Sequence, residues 1–189
     1  MDFKIRPAFC CDAPHIARAV MMAIGDEICS GLAGADRNLD DVRRLFTELA
    51  AMESSQYSYR NAIVAEDPEG NVAGVCVGYD GALLHSLRQS FIEKASEILG
   101  RDFIGMDDET DSGEFYLDTL AVLPCYRGQG LGGRLLLERA DIGTKATGKR
   151  AGLLVDKVNP GAQRLYESLG FRYAGDRPFA GVMMNHMTL

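Results

Sequence analysis

One stretch, residues 114–137, constrains the fold of this chain more than any other; its sequence is EFYLDTLAVLPCYRGQGLGGRLLL. It begins with an apolar run, residues 115–122, that is rich in the aromatic and β-branched residues typical of strands. Pro124 ends the run, because proline has no N–H group to donate to a neighbouring strand. From Leu131 onward the leucines recur at helical spacing. The stretch therefore predicts a strand, a glycine-rich turn and a helix, in that order.

The turn carries four glycines close together: Gly128, Gly130, Gly132 and Gly133. The first backbone N–H groups of a helix have no partner inside the helix, so they point outward. Glycine lets a ligand approach these groups closely, and the helix dipole favours negative charge there. The turn therefore predicts a site for phosphate oxygens.

Two common phosphate-binding motifs fit this turn poorly. A mononucleotide P-loop requires Gly-Lys-Ser/Thr, and this chain has Gly-Gly-Arg instead, which excludes it. A dinucleotide-binding fingerprint is satisfied by Gly128, Gly130 and Gly133, with Asp156 at a tolerable distance. However, residues 124–127 separate the strand from the first glycine, whereas the turn of that fingerprint is tight. Too little chain also follows Asp156 to complete a doubly wound sheet, so an NAD-binding oxidoreductase is disfavoured.

A third pattern, R-x-x-G-x-G, is formed by Arg127, Gly130 and Gly132. Further along, residues 159–171 have the order and spacing N-x-x-A-x-x-L-Y-x-x-x-G-F. Together, and in this order, the two segments resemble the GNAT-type N-acetyltransferase superfamily. The resemblance covers about residues 5–19 and 62–189.

The resemblance implies a fold of class α/β (α+β), the GNAT fold, in one domain spanning residues 1–189. Its centre is a mixed, mostly antiparallel sheet with helices on both faces. Residues 82–99 have helical spacing and lie before the fourth strand, where compact family members have a turn, so an extra helical insertion is expected there. Residues 25–37 are rich in Gly, Ala and Asp, which predicts a loop or a short helix.

The same resemblance implies that acetyl-CoA is the cosubstrate. In the family the glycine-rich turn holds its pyrophosphate, and the strand end before the turn holds its pantetheine arm. The corresponding residues here are Leu120, Ala121, Val122, Arg127, Gly128, Gln129, Gly130, Gly132 and Gly133. The asparagine of the second segment, Asn159, contacts the CoA arm in the family, although capping of its own helix would also explain it. The alternative for the glycines is a tight strand-to-helix connection without a ligand.

In the family an amine attacks the thioester directly, without an acyl-enzyme. The resemblance places Tyr166 next to the CoA sulfur, where it would protonate the departing thiolate. A phenol with a pKa near ~10 keeps its proton at neutral pH and can donate it. Ala162, Leu165 and Leu169 share a helical face with Tyr166, so a tyrosine of the core is the alternative.

The candidate general base is Asp118, two residues before Leu120, where some family members carry a base. Glu114, Tyr116 and Asp118 alternate along the strand, so they should face the same side if no bulge intervenes. A carboxylate that only hydrogen-bonds neighbouring strands is the alternative for Asp118, and the sequence leaves both open.

Composition limits the partners. Lys+Arg 20 against Asp+Glu 27 gives a net charge of −7, which argues against nucleic acid and anionic membranes. The five cysteines and three histidines show no metal-ligand spacing, so no metal is expected. An odd number of cysteines without CxxC spacing predicts reduced thiols, and no apolar run has the length of a membrane span or a signal peptide. We therefore expect a cytoplasmic location.

The acceptor is expected to be a primary amine of a small molecule or peptide. Five carboxylates, Asp107, Asp108, Glu109, Asp111 and Glu114, precede the central strand and would attract a cationic amine if they face the cleft. A solvated loop is the alternative. The domain could also form the homodimer that is common in the family. The alternative to an enzyme is a sensor domain that binds acyl-CoA without turnover. Tyr166 and Asp118 favour an enzyme, because a sensor needs neither.

Overall fold

The structure, a computed structural model, describes residues 2–189. Its first half contains β1 (Lys4–Pro7), α1 (Ala13–Ala33), α2 (Leu39–Ala51), β2 (Ala62–Glu66), β3 (Val72–Asp80) and α3 (Leu84–Leu99). Its second half contains β4 (Glu114–Val122), α4 (Leu131–Thr147), β5 (Arg150–Asp156), α5 (Pro160–Ser168), β6 (Arg172–Phe179) and β7 (Val182–Thr188). Among these described elements, no helix is long and apolar enough to cross a membrane.

The strands form one mixed sheet in the order β1-β2-β3-β4-β5-β7-β6. Every neighbouring pair is antiparallel except β4 and β5, which run parallel. The predicted GNAT fold is therefore confirmed. This topology is not the parallel, doubly wound sheet of a dinucleotide-binding domain, which agrees with rejecting that alternative from the sequence.

Helices cover both faces of the sheet. On one face, α1, α2 and α3 share a core cluster whose centre includes Val42, Leu45, Phe46 and Leu49 of α2. These four recur at i, i+3, i+4 and i+7, which is why α2 buries one side. On the other face, α4 packs Leu131, Leu135, Leu136 and Ala140 against β4 and β5.

The segment after Gly25 forms a short helix that directly follows the first one. Residues 25–37 were predicted to form a loop or a short helix, and α1 continues after a kink to Ala33. Gly25 breaks the helical path with φ of +83°, and the chain resumes a helix after it. Cys29 and Ala33, four residues apart, are both buried against the core. Tertiary packing therefore outweighs the weak helix propensity of this glycine-rich segment.

The predicted insertion before the fourth strand is present as α3. Phe91, Ala95 and Ile98 are buried on one side of this helix, and Phe91 stacks on Phe46 of α2 with ring centroids 6.5 Å apart. Gly100 ends the helix in the left-handed conformation. The insertion and the loop after it, residues 100–113, thus lead directly into β4.

The central strands separate along their length. β4 and β5 pair only at their beginnings, where Glu114, Phe115 and Tyr116 face Arg150, Ala151 and Gly152. β4 continues to Val122 beside β3, whereas β5 turns to pair with β7. An opening is therefore left between the later parts of β4 and β5.

Candidate active site

A cleft of about 560 Å³ lies at this opening. Its walls come from α1, the end of β4, the turn after β4, the start of α4, and α5. The lining residues are Met22, Leu120, Ala121, Val122, Tyr126, Arg127, Gly128, Gly130, Leu131, Gly132, Gly133, Leu165 and Leu169. The structure therefore brings most of the sequence-predicted cofactor residues together in one cleft. Gln129 is exposed within the same turn, outside this lining.

The glycine-rich loop, residues 127–133, presents backbone rather than side chains. Gly128 and Gly130 have φ of +76° and +71°, a conformation that side-chain-bearing residues rarely adopt. A Cβ atom at either position would meet no other atom within 4 Å, so the space above the backbone is open. The first intrahelical bond of α4 runs from the Arg134 N–H to the Gly130 carbonyl, at 3.2 Å. The N–H groups before it lie at the positive end of a helix of 17 residues.

Two side chains brace this loop. The Arg127 Nε donates to the carbonyl of Val122 at 3.0 Å, which ties the loop to the end of β4. The Tyr126 hydroxyl donates to Asp67 Oδ2 at 2.6 Å, which ties it to the turn between β2 and β3. That hydrogen bond, together with those from Asn71, lowers the pKa of Asp67 to about 2. Asp67 is therefore ionised at neutral pH and is a strong acceptor.

Asp118 lies at a β-bulge. In the pairing of β3 with β4, Val77 faces Thr119 and Gly78 faces Leu117, so Asp118 is the extra residue. Its Oδ1 accepts a hydrogen bond from the Thr119 hydroxyl at 2.7 Å. Burial raises the pKa of Asp118 to about 7, and the negative charge of Glu109 acts in the same direction. A carboxyl group with this pKa can both accept and release a proton near neutral pH.

A buried arginine of α4 also supports this bulge. Arg139 of α4 donates from Nη2 to the carbonyl of Gly78 at 2.6 Å and from Nε to the carbonyl of Asn61 at 3.0 Å. Its guanidinium lies 4.7 Å from the ring centroid of Phe115. Burial lowers the pKa of Arg139. Because Gly78 is the residue at which the register shifts, Arg139 holds the backbone that faces Asp118.

Tyr166 of α5 is partly buried, with its ring centroid 6.0 Å from that of Phe171. Burial raises the pKa of Tyr166 to about 12, so the phenol is protonated at neutral pH. Cys76 adds a smaller effect in the same direction, and Cys76 pairs with Leu120 of β4. The phenol therefore lies near the opening without lining the cleft, whereas Leu165 of the same helix does line it. Its predicted role as proton donor stays a prediction.

Asn159 caps α5. Its Oδ1 accepts from the Ala162 N–H at 3.1 Å, and Pro160 occupies the first helical position. The capping role considered from the sequence is therefore present. Asn159 is exposed and lies outside the cleft lining, so its contact with a CoA arm stays a prediction.

Comparison with known proteins identifies the family. Residues 58–173 match the model of the acetyltransferase (GNAT) domain, which is more than half of the chain. The chain belongs to the GNAT acetyltransferase family. A solved protein described as an acetyltransferase is 30% identical, with a TM-score of 0.78 over 98% of this chain and 97% of the other.

Two further solved structures share the fold of this GNAT domain at lower identity. An N-acetyltransferase from Staphylococcus aureus Mu50 is 22% identical, with a TM-score of 0.79 over 98% of this chain and 100% of the other. YncA from Salmonella typhimurium, solved with its cofactor acetyl-CoA, is 20% identical, with a TM-score of 0.57 over 100% and 94%. No curated protein matches the chain.

The five carboxylates of residues 107–114, predicted either to attract an amine at the cleft or to form a solvated loop, divide into two groups. In this GNAT domain Glu109 and Glu114 are buried, whereas Asp107, Asp108 and Asp111 are exposed. Position in the loop gave no hint of this division, because it depends on partners that are distant in the sequence.

Those partners fix the two buried glutamates in different places. Glu114 accepts from the Thr110 hydroxyl at 2.7 Å and lies 2.7 Å from Nε2 of His186 in β7. Glu109 is paired with Arg88 of the inserted helix α3. The sequence pattern also gave no role to Arg88 or Arg139. The one signal for Arg139 was its place within a helical pattern of apolar residues, beside Leu135, Leu136 and Ala140 in α4.

Proposed function

We propose that this GNAT domain is an acetyl-CoA-dependent N-acetyltransferase that transfers an acetyl group to a primary amine in a ternary complex. The cleft beside β4 carries the proposal, because it joins a phosphate-sized opening to an apolar wall. Backbone N–H groups of the glycine-rich loop lie at one end, and apolar residues of β4 form the wall. Asp118 lies outside the cleft lining, two residues before that wall, at the bulge.

The glycine-rich loop fits the pyrophosphate of acetyl-CoA. Open space above Gly128 and Gly130 admits phosphate oxygens to the backbone, and the positive end of α4 favours their charge. The protein as a whole carries −7, so attraction of this anion falls to these local groups. The presence of acetyl-CoA in the structure of YncA, which shares the fold, supports the same choice here.

Acetyl-CoA, when bound, would supply a thioester carbonyl as the target of the amine and a thiol as the leaving group. A protonated amine has no lone pair, so it must lose a proton before it can attack. Asp118 would take that proton at its carboxylate, directly or through water, and its pKa of about 7 suits this role near neutral pH. The hydroxyl of Tyr166, protonated at neutral pH, would hold the proton that the leaving thiolate requires.

The test is CoA release measured with a thiol reagent across a panel of small-molecule and peptide amines, beside calorimetric titration with acetyl-CoA. We expect binding of acetyl-CoA and CoA release that depends on the amine. Binding without release from any amine would instead support an acyl-CoA sensor. Binding of NADH in preference to acetyl-CoA would contradict the proposal.

A further inference from the structure

The inserted helix and the loop after it bury a charged pair beside β3. Arg88 of α3 and Glu109 of the following loop are 5% and 2% exposed. Nη2 of Arg88 contacts Oε2 of Glu109 directly. Arg88 also donates to the carbonyl groups of Met106 and Asp107, at 3.1 and 2.9 Å, and to Oδ1 of the exposed Asp108 at 2.8 Å. The pair is therefore fixed to the loop that leads into β4.

Two further side chains hold the other oxygen of the carboxylate. Oε1 of Glu109 accepts from the Tyr79 hydroxyl at 2.7 Å and from Nε2 of Gln56 at 3.2 Å. We call these four residues, Gln56, Tyr79, Arg88 and Glu109, the buried polar cluster. Each of them is at most 5% exposed. Both oxygens of the glutamate are engaged, so its charge is held in one place.

The buried polar cluster adjoins Asp118 through β3. Tyr79 pairs with Tyr116 of β4, with ring centroids 5.7 Å apart, and Asp118 follows two residues later. The titratable and charged groups that interact electrostatically with Asp118 are Tyr57, Cys76, Tyr79, Arg88, Glu109 and Tyr116. Burial raises the pKa values of the three tyrosines and of Cys76, so these groups are neutral at physiological pH. Glu109 and Arg88 are the charged members of this set.

Stability alone gives a weak reason for such a pair. Removing two charges from water costs about as much as their attraction returns, so an apolar pair of similar size is often as stable. In a medium of low polarity, however, each charge acts strongly on a neighbouring carboxyl group. Glu109 favours the protonated form of Asp118, and Arg88 favours the ionised form.

We propose that the Arg88–Glu109 pair is a positioning element for Asp118, whose two opposed charges keep that carboxyl group balanced between its protonated and ionised forms. The inference rests on the proposed function, in which Asp118 deprotonates the acceptor amine. It assigns the inserted helix a part in the reaction, although neither residue of the pair touches the substrate.

The test measures the protonation of Asp118 in two ways. One is the ¹³C NMR titration of its carboxyl carbon, assigned by comparison with Asp118→Asn. The other is the acidic limb of the kcat/KM profile for the amine. Glu109→Gln should move both midpoints to lower pH, by about one unit, because a like charge has been removed. Arg88→Met should move them to higher pH, and the double variant should lie between the two.

Two control variants guard against a merely structural explanation. Arg88→Lys keeps the charge and should restore a midpoint close to that of the wild type. Asp12→Asn removes one partner of another, partly buried pair, Arg6–Asp12, and should leave the protonation midpoint of Asp118 unchanged. If Arg88→Met does not fold, the proposal is still tested by whether the midpoint of Asp118 shifts in Glu109→Gln and stays unchanged in Asp12→Asn. Unmoved midpoints, or shifts in the same direction for Glu109→Gln and Arg88→Met, would overturn the proposal.

The two readouts separate this inference from the proposed function. Opposite shifts of the carboxyl carbon without CoA release from any amine would contradict the proposed function and leave the electrostatic assignment standing. Amine-dependent turnover with an unmoved midpoint in Glu109→Gln would overturn the assignment and leave the proposed function standing.

Discussion

The glycine-rich loop and the buried polar cluster are built in different ways. The loop consists of consecutive residues whose backbone groups point into the cleft. The cluster draws its side chains from four segments, so that Gln56 and Glu109 meet across 53 positions of the chain. A site formed by the backbone of consecutive residues is specified by a short stretch of sequence. A site formed by side chains from distant segments is assembled only when the whole chain folds.

This difference affects how each region responds to change. In the loop, the critical property is the absence of a side chain where φ is positive. In the cluster, the critical property is pairing, because a buried charge without its partner is strongly unfavourable. Substitutions in the loop should therefore affect ligand binding, and those near the cluster should affect protonation.

The largest effect is expected for Gly130→Val. A branched side chain at φ of +71° strains the loop and blocks the approach of phosphate, so calorimetry should detect no acetyl-CoA binding. Gly148→Val is the matched control, because Gly148 has φ of +70° at the other end of the same helix, with equally open space. Equal losses of binding in the two variants, or a native circular dichroism spectrum with unchanged affinity in Gly130→Val, would contradict the backbone site.

The second largest effect is expected for Asp118→Asn, which should lower kcat by about 10³-fold. This loss is within the range for removal of a general base. The sign of the pH dependence follows from the raised pKa. The carboxyl group of Asp118 is protonated below pH 7 and ionised above it, so wild-type kcat/KM should rise up to about pH 7 and then level. The rise below pH 7 is the acidic limb of the profile, and Asp118→Asn should not show it. A limb that persists in Asp118→Asn belongs to another group and would remove Asp118 from the role of base.

Tyr166→Phe should lower kcat by about 10²-fold while leaving acetyl-CoA binding nearly unchanged, because the lost proton is needed mainly in the transition state. Tyr173→Phe is the control, since Tyr173 is an exposed tyrosine of β6 whose hydroxyl contacts Asp176. Steady-state kinetics at saturating acetyl-CoA make the comparison. Unchanged kcat in Tyr166→Phe would mean that Tyr166 only packs in the core and donates no proton to the thiolate.

Tyr126→Phe tests how much the glycine-rich loop depends on tertiary support. Loss of the hydrogen bond to Asp67 should loosen the loop and raise KM for acetyl-CoA by about fivefold, with kcat preserved. Tyr59→Phe removes a comparable bond, from Tyr59 to Glu53, and should have no such effect. An unchanged KM in Tyr126→Phe would mean that the loop is shaped by its own sequence alone.

The smallest effect is expected for Asp107→Asn. Asp107 is exposed, so water and salt screen its charge, and KM for the amine should change less than about twofold at physiological ionic strength. A large rise in KM at low salt that disappears at high salt would restore the idea that the acidic run attracts a cationic acceptor.

The helices and strands that were predicted correctly are specified by local patterns in the sequence. Alternation and helical spacing specify which side of a segment is apolar, and that pattern located the central strand, the insertion α3 and the helix after the glycine-rich loop. It left residues 25–37 open between a loop and a short helix, and the burial of Cys29 and Ala33 against other elements selects the helix.

By itself, the sequence determined the strand–loop–helix of the proposed phosphate site, since a positive φ and an open backbone require glycine at fixed positions. Only the tertiary structure decided which carboxylates of the acidic run are buried and what balances Asp118. Glu109 and Asp107 are chemically similar and two positions apart, yet one is enclosed by Arg88, Tyr79 and Gln56 and the other faces water. The free energy of a charge depends on its distance from other charges and from water, and folding alone sets those distances.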